Sequence, residues 1–313
     1  MLNKYLKIGV VGDLMLDIDF FCNPKGISQE AFVPVMSLKR NVSYPGGTAN
    51  LAKNLSLLKC KTILFGSLGN DYNGKELMNL LKKEEINCEN VIINKFHTTS
   101  KLRVYCNSKL INRIDNDHCI KDNFIKKKIL IKIVNSLSNL DALIISDYDK
   151  GLLDATNTRT IIKECIKNKK RVYIDPKFKN WKIYCNSFLI KPNIKEMEMA
   201  ADKSNLSQSE IFREAEKAIK LYNFHYILIT MGEKGMLLVS KKDRFYIKSK
   251  KIKNANIVGA GDVVMAALVK FYESSKDIKK SVILANGAAG IGVSKFGTSV
   301  VFLREMKRFL INN

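Results

Sequence analysis

The sequence predicts an α/β fold: a mainly parallel sheet covered by helices, with a small β lid. Two observations carry this. From residue 124 onward, long helix-like stretches alternate with short apolar runs at 142–146, 171–174, 187–190 and 226–230. Strands separated by helices pair in parallel, and such sheets are covered on both faces. Earlier, Phe20, Phe21, Phe32, Val33, Val35 and Met36 fall in short, partly alternating runs within residues 18–44. That is the pattern of small strands, not of helices.

In chain order, Ile8 to Val11 lie in a first strand over residues 6–12. The acids Asp13, Asp17 and Asp19 cut the run short, so it reads as a buried strand and not as a signal peptide. In open α/β sheets, ligands sit beyond the carboxyl ends of strands. Asp13 and Asp17 are therefore placed either to accept hydrogen bonds from ligand hydroxyls or to cap a turn. Pro45-Gly46-Gly47-Thr48-Ala49-Asn50 opens a helix with Leu51, Leu55 and Leu58 on one face. The glycine pair lets the backbone approach closely at the helix start, and Asn50 would point from the first turn into the same space. A strand at 62–68 and a helix at 74–84 follow. Residues 101–105 and 110–115 form a hairpin with Asn107-Ser108-Lys109 between them. Asp147, Asp175 and Asn193 each follow an apolar strand and would share one rim. No repeat, low-complexity tract or linker divides the chain, which reads as one domain over residues 1–313. Segments of about 18–44 and 98–117 form the lid inserted in it.

The stretch on which the reading turns is Asn256-Ile257-Val258-Gly259-Ala260-Gly261-Asp262. Val263, Val264, Ala267, Leu268 and Phe271 then recur at helical spacing. Small residues admit a ligand, and the first N–H groups of a helix have no internal partner, so the turn suits an anion, above all phosphate. An acid there repels phosphate unless it has another task. Asp262 either takes a proton from an attacking hydroxyl or merely caps the helix and complements its dipole.

The 313 residues, 46% of them hydrophobic, can bury a substantial core. The seven cysteines are odd in number, scattered and without a CxxC pair, which fits reduced thiols in a cytoplasmic protein. His97, His118 and His225 lie far apart, which excludes an HExxH or His-pair metal site. No run approaches the ~18 apolar residues of a membrane span. The formal charge of +23 invites a nucleic-acid reading. The excess is mostly lysine spread along the whole chain beside many Asn and Ile, with no interleaved aromatics, so no nucleic-acid partner is expected. A phosphorylated ligand would welcome the positive field.

Three pieces converge: Gly46-Gly47 with Asn50, Asn193-Ile194-Lys195-Glu196, and Gly259-Ala260-Gly261-Asp262. Their order and spacing resemble the ribokinase-like (PfkB) carbohydrate kinases over essentially the whole chain. A narrower match lies in Gly12-Asp13-Leu14-Met15-Leu16-Asp17, residues 27–35, residues 99–104, Ser146-Asp147-Tyr148-Asp149-Lys150-Gly151, Asp175-Pro176-Lys177 and Gly297-Thr298-Ser299. These resemble the bacterial D-glycero-D-manno-heptose 7-phosphate kinases. In many bacteria that kinase is fused to an adenylyltransferase; the chain has no HxGH signature, so a separate protein would supply that step.

The resemblance implies a three-layer αβα sandwich and an ATP-dependent transfer of phosphate to the sugar's C1 hydroxyl. Asp262 would be the base, with backbone N–H groups of Gly259, Ala260 and Gly261 facing the transferred phosphoryl group. Asp13, Asp17, Gly46, Gly47 and Asn50 would hold the sugar. Lys101, Arg103, Arg113 and Lys177 are candidates for its phosphate, Arg by its planar fork. Asn193, Ile194, Lys195 and Glu196 would lie at the nucleotide phosphates, Glu196 organising Mg²⁺ largely through water. Thr230, Gly232 and Gly235 would approach the same phosphates, and Asn286 the adenine. No Walker A sequence occurs, which excludes a P-loop. The lid would close over the sugar and keep water out, and relatives pair through lid strands, so a homodimer is expected. The family carries Asp where Asn256 stands and Thr where Val258 stands. Those positions help bind a monovalent cation in relatives, which leaves a K⁺ requirement open.

Overall fold

Nearly continuous apolar runs become buried strands in this chain, and partly alternating runs become a second, half-exposed sheet. The computed structural model describes residues 5–177, 180–253, 255–295 and 297–311. The strands are β1 (Lys7–Gly12), β2 (Leu14–Ile27), β3 (Pro34–Gly47), β4 (Lys61–Gly69), β5 (Asn87–Asn94), β6 (Ser100–Cys106) and β7 (Lys109–Asn116). They continue as β8 (Ala142–Ser146), β9 (Arg171–Asp175), β10 (Leu189–Ile190), β11 (Tyr226–Thr230), β12 (Met236–Ser240) and β13 (Arg244–Ile247). The helices are α1 (Thr48–Leu57), α2 (Tyr72–Lys83), α3 (Asn123–Ser136), α4 (Ala155–Lys167) and α5 (Ile194–Ala201), then α6 (Gln208–Tyr222), α7 (Ala260–Ser275), α8 (Ile278–Val293) and α9 (Leu303–Ile311).

The large sheet runs β13-β12-β11-β10-β9-β8-β1-β4-β5. It is parallel from β5 to β11 and antiparallel only through β12 and β13. Two apolar clusters lie on its faces, one joining α1 and α7 to alternate strand residues such as Ile8, Val10 and Ile144. The other joins α3, α4 and α6 to the intervening residues, such as Val11, Leu143 and Ile145. Period-two alternation sends neighbouring side chains to opposite faces, so a strand buried on both sides reads as an unbroken apolar run.

The small sheet runs β3-β2-β6-β7. β2 pairs antiparallel with β3 and parallel with β6, so Asp17 lies beside Lys101 and Asp19 beside Arg103. The hairpin between β6 and β7 closes in two residues, not three. Asn107 (φ 48) and Ser108 (φ 64) both take the left-handed conformation, and Lys109 already belongs to the strand. A two-residue turn of that hand matches the twist of the flanking strands. The strand expected at 187–190 shortens to Leu189–Ile190, because Ser187 closes a turn onto the Tyr184 carbonyl.

β1 and β8 approach so closely at their carboxyl ends that residue 12 must be glycine. A Cβ there would lie 1.9 Å from the Ser146 carbonyl oxygen and 2.4 Å from the Thr48 hydroxyl. This tight seam puts Asp13, the start of α1 and the segment after β8 side by side. Asp147, Asp175 and Asn193 follow or end their strands on the same edge of the sheet and line one cleft there.

Candidate active site

The cleft has a volume of about 1260 Å³ and lies over the carboxyl ends of β8 to β11. That exceeds the ~300–1,000 Å³ of a pocket for one small ligand. Among the expected residues, its walls include Asp17, Gly47, Asn50, Lys101, Arg103, Lys177, Asn193, Glu196, Thr230, Gly232, Gly235, Gly259, Ala260, Gly261, Asp262 and Asn286. The lining does not include Asp13, Gly46, Arg113, Ile194 or Lys195.

Asp262 sits in the first turn of α7, 4% exposed. Gly259 is the N-cap with φ 77, a left-handed conformation that favours glycine. A Cβ on Gly259 would also lie 2.6 Å from the Asn50 amide nitrogen. Asn50, in the first turn of α1, donates from Nδ2 to Asp262 Oδ2 at 2.6 Å. Tyr148 donates its hydroxyl to Asp262 Oδ1 at 3.1 Å. Burial pushes the Asp262 carboxyl up to about 7; the Asn50 bond opposes this, the Asp175 charge adds to it, and Lys191 and Tyr148 pull it back. A base that changes charge near neutrality is suited to proton transfer at physiological pH. Of the three backbone donors expected at this helix start, Ala260 N–H is already used, donating to the Ile257 carbonyl at 3.2 Å.

Two residues without an assigned role in the sequence complete this wall. Lys191, 4% exposed, ion-pairs with Asp175 at 3.0 Å. A Cβ on Gly261 would lie 3.3 Å from its Nζ, so the ammonium stands over the first turn of α7. Burial pulls its pKa down, but Asp175 and Glu196 outweigh burial and hold it above the usual lysine value. Its signal in the sequence is a lone cation at the end of the apolar run Phe188-Leu189-Ile190. Tyr148 is the other. Burial and the Asp262 charge raise its phenol well above the ordinary value, so it stays a neutral donor.

Asp13 has a structural task. Its Oδ2 accepts the backbone N–H groups of Tyr148 and Lys150, each at 3.1 Å, and so fixes the segment that carries the Tyr148 ring. Gly46 matters because a Cβ there would crowd the Asp17 carboxyl at 2.8 Å. Gly47 is the N-cap of α1 with φ 54. Arg103 is 9% exposed and lies between Asp17 at 3.4 Å and Asp19 at 3.8 Å. It is therefore committed to those carboxylates. Burial pushes Asp19 up to about 6 and raises Asp17, while Arg103 opposes both. Lys101, half-buried, projects beside Asp17 and has its pKa lowered by burial. Lys177 is exposed at the rim. Arg113 stands one strand further out, exposed and paired with Asp115 at 2.9 Å.

At the other end, Asn193 and Glu196 form a reciprocal cap on α5. Asn193 Oδ1 accepts the Glu196 N–H at 2.9 Å, and Glu196 Oε2 accepts the Asn193 N–H at 2.8 Å. Burial and then Asp175 raise the Glu196 carboxyl. Asn193 also bridges to Thr230, which brings the two segments expected near phosphates together. Gly235 has φ 101, and a Cβ there would strike the Ile247 carbonyl at 2.0 Å. Asn286 on α8 holds the segment after β13, donating to the Lys248 carbonyl and accepting from the Ser249 hydroxyl. No group of three His, Cys, Asp or Glu suited to a metal occurs among the described residues.

An acid at a glycine-rich helix start faces a cleft beneath the small sheet, an arrangement that suits transfer of a phosphoryl group to a hydroxyl. Residues 6–304 match the model of the pfkB family of carbohydrate kinases, and the chain belongs to that family. It is a phosphotransferase acting on a sugar hydroxyl. Among particular proteins, it is 33% identical over 308 residues to the bifunctional protein HldE of Helicobacter pylori. It is 34% identical over 305 residues to that of Haemophilus influenzae. The alignments cover 97% of this chain but 66% and 63% of those relatives, so it spans about two thirds of their length. The fold is that of Arabidopsis thaliana ribokinase complexed with ribose and ATP, with TM-score 0.79 and 18% identity over 98% of this chain and 99% of that one. Escherichia coli phosphofructokinase-2 in complex with potassium gives 0.81 and 16% over the same shares.

The Asp262 carboxyl rises from 3.8 unfolded to about 7 folded. A raised carboxyl leaves stability intact below the unfolded value and removes it as pH climbs through the folded one. Asp262→Asn is therefore expected to exceed the wild type in urea titrations at pH 8, by on the order of 3 kcal/mol, and to show no such gain near pH 4. Equal stability of the two at both pH values would contradict the assigned environment.

Proposed function

We propose that the chain phosphorylates D-glycero-β-D-manno-heptose 7-phosphate at O1 with ATP, giving the 1,7-bisphosphate for ADP-heptose and lipopolysaccharide core synthesis in the cytoplasm. The observation that carries the chemistry is the Asp262 carboxylate held between Asn50 and Tyr148 at the start of α7. The substrate rests on the match to the HldE proteins across nearly the whole chain.

In this reading Asp262 accepts the proton of the anomeric hydroxyl while that oxygen attacks the γ-phosphorus. The bond to the β-phosphate oxygen breaks and ADP leaves. Each oxygen of Asp262 carries one donor and keeps a second lone pair, so the substrate hydroxyl can bond Oδ1 beside Tyr148. Gly259 and Gly261 remain to offer N–H groups to the phosphoryl charge, since Ala260 is engaged. Lys191 adds a buried positive charge above the same turn. Asp17, Gly47 and Asn50 line the sugar end, with Lys101 and Lys177 available for the 7-phosphate. The Asn193–Thr230 bridge, Gly232 and Gly235 face the nucleotide phosphates, with Asn286 near the base. Mg²⁺, if held here, would supply positive charge at the nucleotide phosphates. Glu196 would hold it with help from water, its Oε1 lying outside the α5 cap.

One observation favours a second sugar. Arg103 is tied to Asp17 and Asp19, which leaves one cation fewer for a sugar phosphate. ADP release measured over heptose, hexose and pentose phosphates and their unphosphorylated forms separates the two readings. Heptose 7-phosphate is expected to give the highest kcat/KM, and turnover with unphosphorylated sugars alone would end the heptose reading. On the preferred sugar, Asp262→Asn should lower kcat by about 10²–10⁴-fold with nucleotide affinity nearly unchanged.

The small sheet exposes Ile27, Leu38, Leu110, Ile111 and Ile114, and the connection between β2 and β3 exposes Phe32. Clustered exposed apolar residues mark interaction surfaces, which supports pairing of two copies through this sheet. Sedimentation equilibrium is expected to report the dimer mass; a single-chain mass at micromolar concentration would remove this inference.

A further inference from the structure

The turn that leads into α7 is held by its own hydrogen bonds. Asn256 lies at its foot, and its backbone N–H donates to the Val293 carbonyl at 2.8 Å. Its side-chain Oδ1 accepts the Val258 N–H at 3.2 Å, and its Nδ2 donates to the Gly297 carbonyl at 2.7 Å. Ser299 completes the set. Its N–H donates to the Val258 carbonyl at 2.8 Å and its hydroxyl to the Asn256 carbonyl at 3.3 Å. Three backbone carbonyls, of Asn256, Val258 and Gly297, thus converge on this turn, and each has a protein donor.

The orientation of the Asn256 carboxamide follows from its partners. The Val258 N–H can only donate and the Gly297 carbonyl can only accept. Oδ1 must therefore face the first and Nδ2 the second; the flipped amide would lose both bonds. An aspartate in this place would set a second carboxylate oxygen against the Gly297 oxygen with no hydrogen between them. Two acceptors at such a distance repel unless a cation stands between them. A turn with Asp here needs an ion; a turn with Asn supplies the N–H itself. Val258, in turn, offers no hydroxyl to an ion. The residues present do not fit a monovalent cation: the Asn256 amide turns its N–H toward the Gly297 oxygen, and neither Asn256 nor Val258 offers an anionic or hydroxyl oxygen to hold one.

We propose that the Asn256 side-chain amide takes the place of a monovalent cation at the base of the α7 turn, so that the position of Gly259 to Asp262 is set without K⁺. The donor that links the turn to the 297–299 segment belongs to the chain itself and is always at hand, where an ion would have to bind from solution. Through that link Asn256 is a positioning residue for Asp262. The rate consequence rests on the kinase reading; the stability consequence does not.

Two readouts test this, at fixed ionic strength in potassium, sodium or choline chloride. Thermal unfolding needs no substrate, and an ion bound only by the folded chain raises the midpoint. The wild-type midpoint and initial rate are expected to be the same in all three salts, the rate within about twofold. A midpoint raised specifically by potassium, or a rate raised by about tenfold or more, would overturn the proposal. Asn256→Asp is expected to lose rate in choline and regain about tenfold or more in potassium; full activity of this variant in choline would also overturn it. If Asn256→Asp does not fold, the wild-type salt comparison decides alone. If no sugar supports turnover, the kinase reading fails while the unfolding comparison still tests the cation.

Discussion

A single 2.6 Å hydrogen bond, from Asn50 to Asp262, joins the starts of two helices 212 positions apart in the chain. The rest of the site is arranged to permit it. Gly259 must lack a side chain, because a Cβ would lie 2.6 Å from the Asn50 nitrogen. Gly12 must lack one so that β1 and β8 close up and Thr48 can donate to the Ser146 carbonyl at 3.2 Å. Asn54, one turn along α1, donates to the Asn50 and Ser299 carbonyls and accepts from Val301 N–H, which ties α1 to the segment behind α7. Buried polar groups are costly unless paired, and these pairs leave little freedom in where the Asp262 carboxyl points.

The same wall gathers acids that a cleft for phosphates would be expected to avoid. Burial raises Asp147 and Asp262 to about 7 each, and raises Asp175 and Glu196 as well. Neutral or half-neutral carboxyls repel phosphate less than fully charged ones, and Lys191 offsets Asp175 at 3.0 Å. Asp147 is further held by the Tyr184 hydroxyl at 2.7 Å and the Asp149 N–H at 2.9 Å. The site thus keeps its acids by pairing and partial protonation, and leaves Asp147 and Asp262 able to gain and lose a proton near neutrality.

Much of this was legible in the sequence where burial on both faces leaves an unbroken apolar run. β8 and β11 occupy the stretches 142–146 and 226–230 that were read as strands. The Gly-rich starts of α1 and α7 were legible because positive φ and close approach demand glycine there. β5 was not: Asn87–Asn94 mixes polar and apolar residues at the sheet edge. β12 and β13 belong to an antiparallel extension that the alternation of helix and strand does not announce. Side-chain partners were least legible. The resemblance offered Arg103 and Arg113 to a phosphate, whereas strand register pairs the first with Asp17 and Asp19 and sets the second one strand further out. Tyr148 lay inside a quoted motif, but its contact with Asp262 depends on Asp13 pinning its backbone, a link of 135 positions.

In the proposed reaction Asp262, gripped by Asn50 and Tyr148, is the base that must be ionised for transfer. The pH dependence of kcat/KM, which reports the free enzyme's ionisations, tests it most directly when wild type and Tyr148→Phe are compared. The wild-type acid limb is expected near pH 7. Tyr148 donates to the carboxylate and favours its charged form, so Tyr148→Phe should shift that limb to higher pH. A wild-type rate that stays flat down to pH 5, or a limb that does not move in the variant, would contradict it.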